Sequence, residues 1–213
     1  MNNQEISNSL LDTIRKSDFE GLATDFSELA FDQLSELEGV AKDVPVIGSI
    51  IKIIKLGFTV KDILFLKKLG NFLWNLKDIP LNERIKLIEK LERDSDYKTD
   101  VGGKIMLLLE RVDDFEKPKI IANAFKAYLY DKISYNQLQK INFAIDHLFI
   151  GDIKEFNTFY NNAAHAMDES THQNLALCGF ATLIQLLDGG TNLKISDFGI
   201  VFAENVLEYK TNL

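Results

Sequence analysis

The sequence is poor in cysteine, proline and tryptophan, and it has fewer basic than acidic residues. Its 213 residues include one cysteine, three prolines and one tryptophan, and 24 lysines and arginines stand against 32 aspartates and glutamates. A single cysteine excludes an internal disulfide, and the first 30 residues have no apolar signal core, so we expect a cytoplasmic protein. A net charge of −8 argues against a large phosphate-binding surface, and we predict no nucleic-acid partner.

The scarcity of proline leaves long stretches with the three- and four-residue apolar spacing of amphipathic helices. We therefore predict a mainly α protein, a multi-helix bundle. Residues 1–43 are interpreted as an acidic amphipathic segment, residues 44–165 as the bundle core and residues 166–213 as a tail. Inside the core, Ser134 and Gln137 have the spacing of a capping box, which predicts the start of a helix.

The tail has a different pattern. Two apolar stretches flank the sequence Asp188-Gly189-Gly190, which predicts a β-hairpin between about Ala181 and Ser196 and no other strands. Ser196 is placed to cap a last helix. This order of helix, hairpin and helix resembles the wing half of a winged-helix module. Residues 171–213 contain only two bases against four acids, so a packing or dimerisation role is favoured over DNA contact.

Charge is unevenly distributed along the chain. Residues 1–43 hold ten acids and three bases, for a net charge of −7, whereas residues 44–77 hold one acid and six lysines, for a net charge of +5. The second of these segments is also strongly apolar. The sequence thus places an acidic amphipathic segment directly before a basic apolar one.

The basic apolar segment is predicted to form a helical hairpin over Val44–Leu76, with a turn near Gly57. It is too short and too charged for a spanning helix, which needs about 20 predominantly apolar residues. Three interpretations stay open: a buried hairpin of the bundle, a membrane-contacting hairpin or a groove for a partner helix. If the hairpin is buried, Ile51→Ala or Ile54→Ala should cost on the order of 2 to 5 kcal/mol. The residues predicted to contact a membrane or partner are Ile47, Ile50, Ile51, Lys52, Ile54, Lys55, Phe58, Lys61, Phe65, Lys67, Lys68 and Trp74.

No group of residues has the spacing of a catalytic, cofactor or metal site, and we predict none of these. The charged residues 110–117 are interpreted as ion pairs at a helix end, since Asp113 and Lys117 are one turn apart. The His, Asp and Glu residues of 165–172 match no metal-ligand spacing, although a metal site there stays open. Cys178 is interpreted as a small core residue. Gly102 and Gly103 lack the remaining residues of a phosphate loop and more simply start a helix that runs to about Phe115.

One part of the chain carries a family resemblance. The segments PVIG, VKDILFLKKLGNFL, ERIKLIEKLERD and VGGKIMLLLERVDDFEKPKIIANAFKAYLYDKISYNQLQKINFAID occur in order, and the most specific part is LLLERVDDFEK, Leu107–Lys117. Over about residues 44–150 the chain resembles a widespread group of uncharacterised bacterial proteins. The resemblance implies a compact helical domain and no known activity, so it assigns no catalytic residue.

Two functions from different classes follow from these patterns. The first is a non-enzymatic bacterial effector, of the toxin or antiviral-defence kind, whose basic apolar hairpin acts on anionic membranes and is restrained by residues 1–43. It would be cytoplasmic, with peripheral attachment to the inner membrane. The alternative is a soluble adaptor or regulatory module that binds a protein partner or a second copy of itself.

Overall fold

The computed structural model describes residues 3–17, 19, 44–53, 59–93, 98–161, 167–185 and 191–208. Within these ranges the chain forms ten helices and one two-stranded antiparallel sheet, with the strands near the end of the chain. In order, the elements are α1 (Asn3–Lys16), α2 (Pro45–Ile53), α3 (Val60–Trp74), α4 (Leu81–Arg93), α5 (Lys98–Arg111), α6 (Lys117–Leu129), α7 (Tyr135–His147), α8 (Ile150–Asn161), α9 (Glu169–Leu177), β1 (Ala181–Gln185), β2 (Thr191–Ile195) and α10 (Asp197–Asn205).

This architecture confirms the predicted fold class, a mainly helical protein with a C-terminal β-hairpin. The chain divides into two compact units, residues 1–122 and residues 123–213. The predicted segment junctions after residues 43 and 165 lie outside the described residues. Most of the acidic amphipathic segment, residues 1–43, and the Asp188-Gly189-Gly190 turn also lie outside them.

In the first unit, α1 is the helix around which the others pack. It contacts α5, α2 and α4, and α5 also contacts α3 and α4. The apolar face of α1 is fully covered, because Leu10, Leu11 and Ile14 are each at most 1 % exposed. Its acidic and basic residues lie on the other side, as the amphipathic pattern requires. The acidic N-terminal segment therefore contributes part of the core of this unit.

A hydroxyl on α1 accepts a hydrogen bond from a free backbone N–H in the first turn of α2. Pro45 stands at the first helical position, where its missing N–H costs nothing, but the N–H of Val46 has no partner within the helix. That N–H donates to Thr13 Oγ1 at 2.9 Å, and Thr13 in turn donates to the carbonyl of Ser9. A second contact joins Ser9 Oγ and Ser49 Oγ at 2.8 Å. The start of α2 is thus held by α1.

Arg84 of α4 donates hydrogen bonds to the C-terminal end of α1. Its guanidinium donates to the carbonyl oxygens of Ile14 and Ser17, both at 2.9 Å, and to its own helix's preceding Ile79 carbonyl at 3.1 Å. The guanidinium also lies over the ring of Phe19, 4.1 Å from the ring centroid. Arg84 is only 5 % exposed, yet its charge is compensated because the last carbonyls of a helix carry partial negative charge.

Gly102 allows α1 and α5 to approach closely. A Cβ atom at this position would lie 2.5 Å from Ser7 Oγ and 2.9 Å from the Ser7 carbonyl oxygen, and Ser7 is fully buried. Gly102 and Gly103 were predicted to start a helix, but α5 begins at Lys98 and ends at Arg111, so they lie inside it. The pair is explained by helix packing.

The apolar residues of the predicted hairpin are largely buried, as expected for a bundle. Its two helices nevertheless have different neighbours, since α2 packs on α1 and α3 packs on α5. The predicted turn near Gly57 lies outside the described residues. The buried apolar residues of the two helices are Val46, Ile47, Ile50, Ile63, Leu66, Leu69, Phe72 and Leu73.

The second unit is organised around three stacked phenylalanines. Phe156 of α8, Phe180 before β1 and Phe202 of α10 are fully buried, and the rings of Phe180 and Phe202 stack with centroids 4.2 Å apart. Strands β1 and β2 pair from Ala181 opposite Ile195 to Gln185 opposite Thr191. Ser196 accepts the N–H of Gly199 at 2.9 Å and caps α10, as predicted.

Candidate functional site

The structure distributes the predicted contact residues of 44–76 over different environments. Ile47, Ile50 and Lys68 are buried, and Ile51, Phe65, Lys67 and Trp74 are half-buried. Lys52 and Lys61 are exposed. Ile54, Lys55 and Phe58 lie outside the described residues. The twelve residues therefore do not form one continuous exposed face in the part of the chain that the structure describes.

Two of these lysines are engaged at the end of α5. Lys68 Nζ donates to the carbonyl oxygens of Glu110 and Val112, at 3.0 and 2.8 Å, and so caps the C-terminus of that helix. Burial lowers the pKa of Lys68, against the opposing effect of nearby carboxylates. Lys61 Nζ lies 2.7 Å from Glu110 Oε1, and this hydrogen bond raises the pKa of Lys61.

The charged residues 110–117 form ion pairs at a helix end, which confirms their interpretation from the sequence. Lys117 Nζ lies 2.7 Å from Asp113 Oδ1, although Lys117 is only 2 % exposed. This hydrogen bond lowers the pKa of Asp113. With Glu110 paired to Lys61, the cluster joins α3, α5 and the start of α6.

Of the polar stretch 165–172, Asp168 and the residues after it form the start of α9. Asp168 is its N-cap, and its carboxylate accepts the N–H of Thr171 at 2.9 Å. Hydrogen bonds from Ser170 and Thr171 lower the pKa of Asp168 to about 2. His165 lies outside the described residues, and within those residues no three His, Cys, Asp or Glu side chains are grouped to hold a metal ion.

Cys178 is buried beside a polar cluster in the second unit. Asp152 of α8 is 7 % exposed and accepts hydrogen bonds from Thr171 Oγ1 and Asn174 Nδ2. Burial, followed by the negative charge of Asp152, raises the pKa of Cys178 to about 11. Cys178 is 8 % exposed, as predicted for a small core residue, and a thiol that stays protonated is a poor nucleophile.

An open apolar groove was not identified from the sequence. It has a volume of about 490 Å³ and lies between α7, the end of α9 and the start of α10. Its most exposed apolar walls are Phe143, at 51 %, and Leu177, at 76 %. The lining residues are Gln139, Lys140, Phe143, Leu177, Cys178, Gly179 and Phe198.

The floor of the groove, formed by Cys178 and Gly179, is fixed by the hydrogen bonds that end α9. Gly179 has a φ of +78°, and its N–H donates to Ala176 O, while the N–H of Phe180 donates to Leu175 O, both at 3.0 Å. These two bonds form a Schellman motif, which requires a left-handed residue and therefore favours glycine. Ser196 Oγ also donates to the Gly179 carbonyl at 2.6 Å, tying the helix end to the end of β2.

Both aromatic residues that line the groove stack on a second ring. Phe198 stacks on the buried Phe180, with ring centroids 5.4 Å apart. Phe143 stacks on His147 at 4.1 Å, and His147 Nδ1 lies 2.8 Å from the Phe143 carbonyl oxygen. The groove thus presents preformed apolar surfaces, which is the usual character of a binding site. The sequence feature that points to the groove is Phe143, an aromatic residue outside the buried face of α7.

No helix in the described ranges is long and apolar enough to cross a membrane. Comparisons of the chain with protein-family models, curated proteins and solved structures give no match.

Proposed function

We propose that the protein is a non-enzymatic adaptor or regulatory module that binds another protein through the apolar groove of its second unit. The observation that supports this is the exposure of Phe143 and Leu177 around a preformed apolar floor. Large apolar side chains that stay exposed around a concave surface are typical of protein-binding sites. Covering what remains exposed of each would contribute on the order of 1 kcal/mol or more, since full burial of such a side chain contributes about 1.5 to 3 kcal/mol.

A photo-crosslinking experiment in the source cells tests this proposal. Benzoylphenylalanine replaces Leu177 in one variant and Leu81 in the control, because Leu81 is also exposed, at 47 %, but lies in the first unit. We expect one adduct of defined mass from position 177 and none from position 81. The protein in that adduct, once purified, should bind the wild-type chain and lose at least tenfold in affinity with Leu177→Glu. Adducts of equal yield at both positions would contradict the proposal.

A second candidate is peripheral contact with an anionic membrane, the first function predicted from the sequence. It is supported by an exposed strip at the start of α3, where Val60 is 57 % and Leu64 39 % exposed beside Lys61. Exposed lysines next to apolar side chains favour anionic lipid surfaces, and an anionic head group would compete with Glu110 for Lys61. If this function is correct, Leu64→Glu should reduce binding to vesicles that contain phosphatidylglycerol, and Lys132→Glu in the second unit should not.

A reversible disulfide between α1 and α2 tests whether residues 1–43 restrain the basic apolar segment. Ser9 of α1 and Ser49 of α2 lie with their hydroxyl oxygens 2.8 Å apart, so cysteines introduced at both positions would bring two thiols close together. If the basic segment has to leave α1 to reach lipid, oxidised Ser9→Cys/Ser49→Cys should not bind vesicles, and reduction should restore binding. Equal vesicle binding by the oxidised and the reduced variant would show that the basic segment need not leave α1. Only the exposed strip of α3 would then remain as the lipid contact.

A further inference from the structure

One charged side chain lines the groove of the second unit among the residues that the structure describes. It is Lys140 of α7, one turn before Phe143. Lys140 is exposed, and no ion pair joins it to a carboxylate in the described part of the chain. Gln139 adds a neutral amide beside it. The site therefore combines apolar walls with one unpaired cation.

Resting on the proposed function, we infer that the groove binds a polypeptide segment whose apolar side chains are flanked by a carboxylate, and that Lys140 pairs with this carboxylate. Apolar side chains would occupy the space between Phe143, Leu177 and Phe198. A carboxylate next to them would meet Lys140, whereas a basic side chain there would meet a like charge. Complementary charge at the rim of an apolar contact selects among partners more than it adds affinity.

The overall charge of the second unit does not favour acidic partners, so the preference depends on contact at Lys140. Residues 123–213 contain ten acids and six bases, for a net charge of −4. Exposed charges farther apart than about 8 Å are largely screened at physiological ionic strength. A carboxylate paired with Lys140 lies well within that distance, and no acid of the unit pairs with Lys140 in the described ranges. The preference should therefore persist at physiological salt.

The test measures three synthetic peptides against the full chain by isothermal titration calorimetry. Each has 16 residues with leucines at helical three- and four-residue spacing, and they differ only at one position beside the leucines, which holds Glu, Gln or Lys. We expect the Glu peptide to bind about two- to fivefold more tightly than the Gln peptide, the range of an exposed ion pair. The Lys peptide should bind most weakly.

Two variants assign the effect to Lys140. Lys140→Glu should reverse the order of the three peptides, and Lys132→Glu, at an exposed lysine outside the groove, should leave it unchanged. Leu177→Glu should abolish binding of all three, and because Leu177 is 76 % exposed this variant should fold normally.

The outcomes separate this inference from the proposed function. Equal affinities for the three peptides, all lost with Leu177→Glu, would overturn the carboxylate preference and leave protein binding through the groove intact. Binding that survives Leu177→Glu, or an order of affinities unchanged by Lys140→Glu, would overturn the inference. Binding that survives Leu177→Glu would also contradict protein binding through the groove, as would the absence of a crosslinked adduct at position 177.

Discussion

Two adjacent glycines in α5 should respond to the same substitution with opposite sign. Alanine is favoured over glycine inside a helix by about 1 kcal/mol, and this gain applies equally to Gly102 and Gly103. The space around them differs. The added methyl group would lie 2.5 Å from Ser7 Oγ and 2.9 Å from Ser7 O at position 102, but no closer than 4.0 Å to Ser7 Cβ at position 103.

The expected magnitudes follow from these distances. The Ser7 hydroxyl can rotate away from a new methyl group, but its carbonyl oxygen belongs to α1 and moves only if the helix moves. Overpacking of this kind costs about 1 to 3 kcal/mol. Gly103→Ala should therefore stabilise the protein by up to about 1 kcal/mol, whereas Gly102→Ala should change stability by about 0 to −2 kcal/mol. The difference between the two variants contains the packing cost alone, because the helix propensity cancels.

Urea unfolding followed by tryptophan fluorescence measures this difference. The chain has one tryptophan, Trp74, and it lies at the end of α3 in the first unit, so its emission reports on the unit that contains both glycines. We expect the unfolding midpoint to fall for Gly102→Ala and to rise for Gly103→Ala, with similar slopes. Equal shifts in the same direction would refute the close approach of α1 and α5.

Three further predictions concern buried groups. In thermal unfolding, Arg84→Ala should destabilise the protein by about 3 kcal/mol or more, because three carbonyl oxygens lose a charged donor. The control Arg93→Ala lies on the same helix at an 84 % exposed side chain and should change stability by no more than about 0.5 kcal/mol. Ile47→Ala should cost about 2 to 5 kcal/mol by chemical denaturation, since Ile47 is fully buried. The same range was expected from the sequence for Ile51→Ala, but Ile51 is half-buried, so Ile51→Ala should cost less than half as much as Ile47→Ala. Cys178, with a pKa of about 11, should react with iodoacetamide at pH 8 about a hundredfold more slowly than in the denaturant-unfolded chain. Its rate should rise about tenfold per pH unit up to pH 10, and a rate that levels off near pH 8 would contradict the raised pKa.

The caps that could be predicted from the sequence are those formed within a few residues. Ser134 accepts the N–H of Gln137 and donates its own N–H to Gln137 Oε1, so the spacing alone identifies this capping box. Ser196 is equally local. The fold class follows from the same local patterns, together with the single strong turn signal of the hairpin. These features could be predicted because both partners lie next to each other in the chain.

Other helix ends are satisfied by residues far away in the chain, and none of these contacts was predicted. Thr13 accepts the first free N–H of α2, Arg84 donates to the last carbonyls of α1, and Lys68 donates to those of α5. The partners are separated by 33, 70 and 44 residues. In the sequence, Lys68 is one lysine of a basic segment, and nothing distinguishes it from its exposed neighbours. Its interior position follows from the packing of α3 on α5.

The groove could not be predicted for a related reason. Its residues come from α7, α9 and α10, and each helix taken alone shows only an ordinary apolar residue near its surface. Phe143 can be recognised in the sequence as an aromatic residue outside the buried stripe of α7. The other groove residues, Leu177 and Phe198, are brought next to each other only by the Schellman turn at Gly179 and the hairpin that follows. The site is a product of tertiary structure.

The central position of α1 affects the order in which the first unit can be built during translation. The apolar face of α1 is complete once residue 16 is made, but its main partner α5 ends at Arg111. At about 5 to 20 residues per second, the ribosome needs roughly 5 to 20 s to add the intervening residues, and Leu10, Leu11 and Ile14 lack their α5 neighbours during that interval. Residues 1–43 carry a net charge of −7. Because like charges repel, we expect this surplus of acids to disfavour association between unfinished chains until α5 is made.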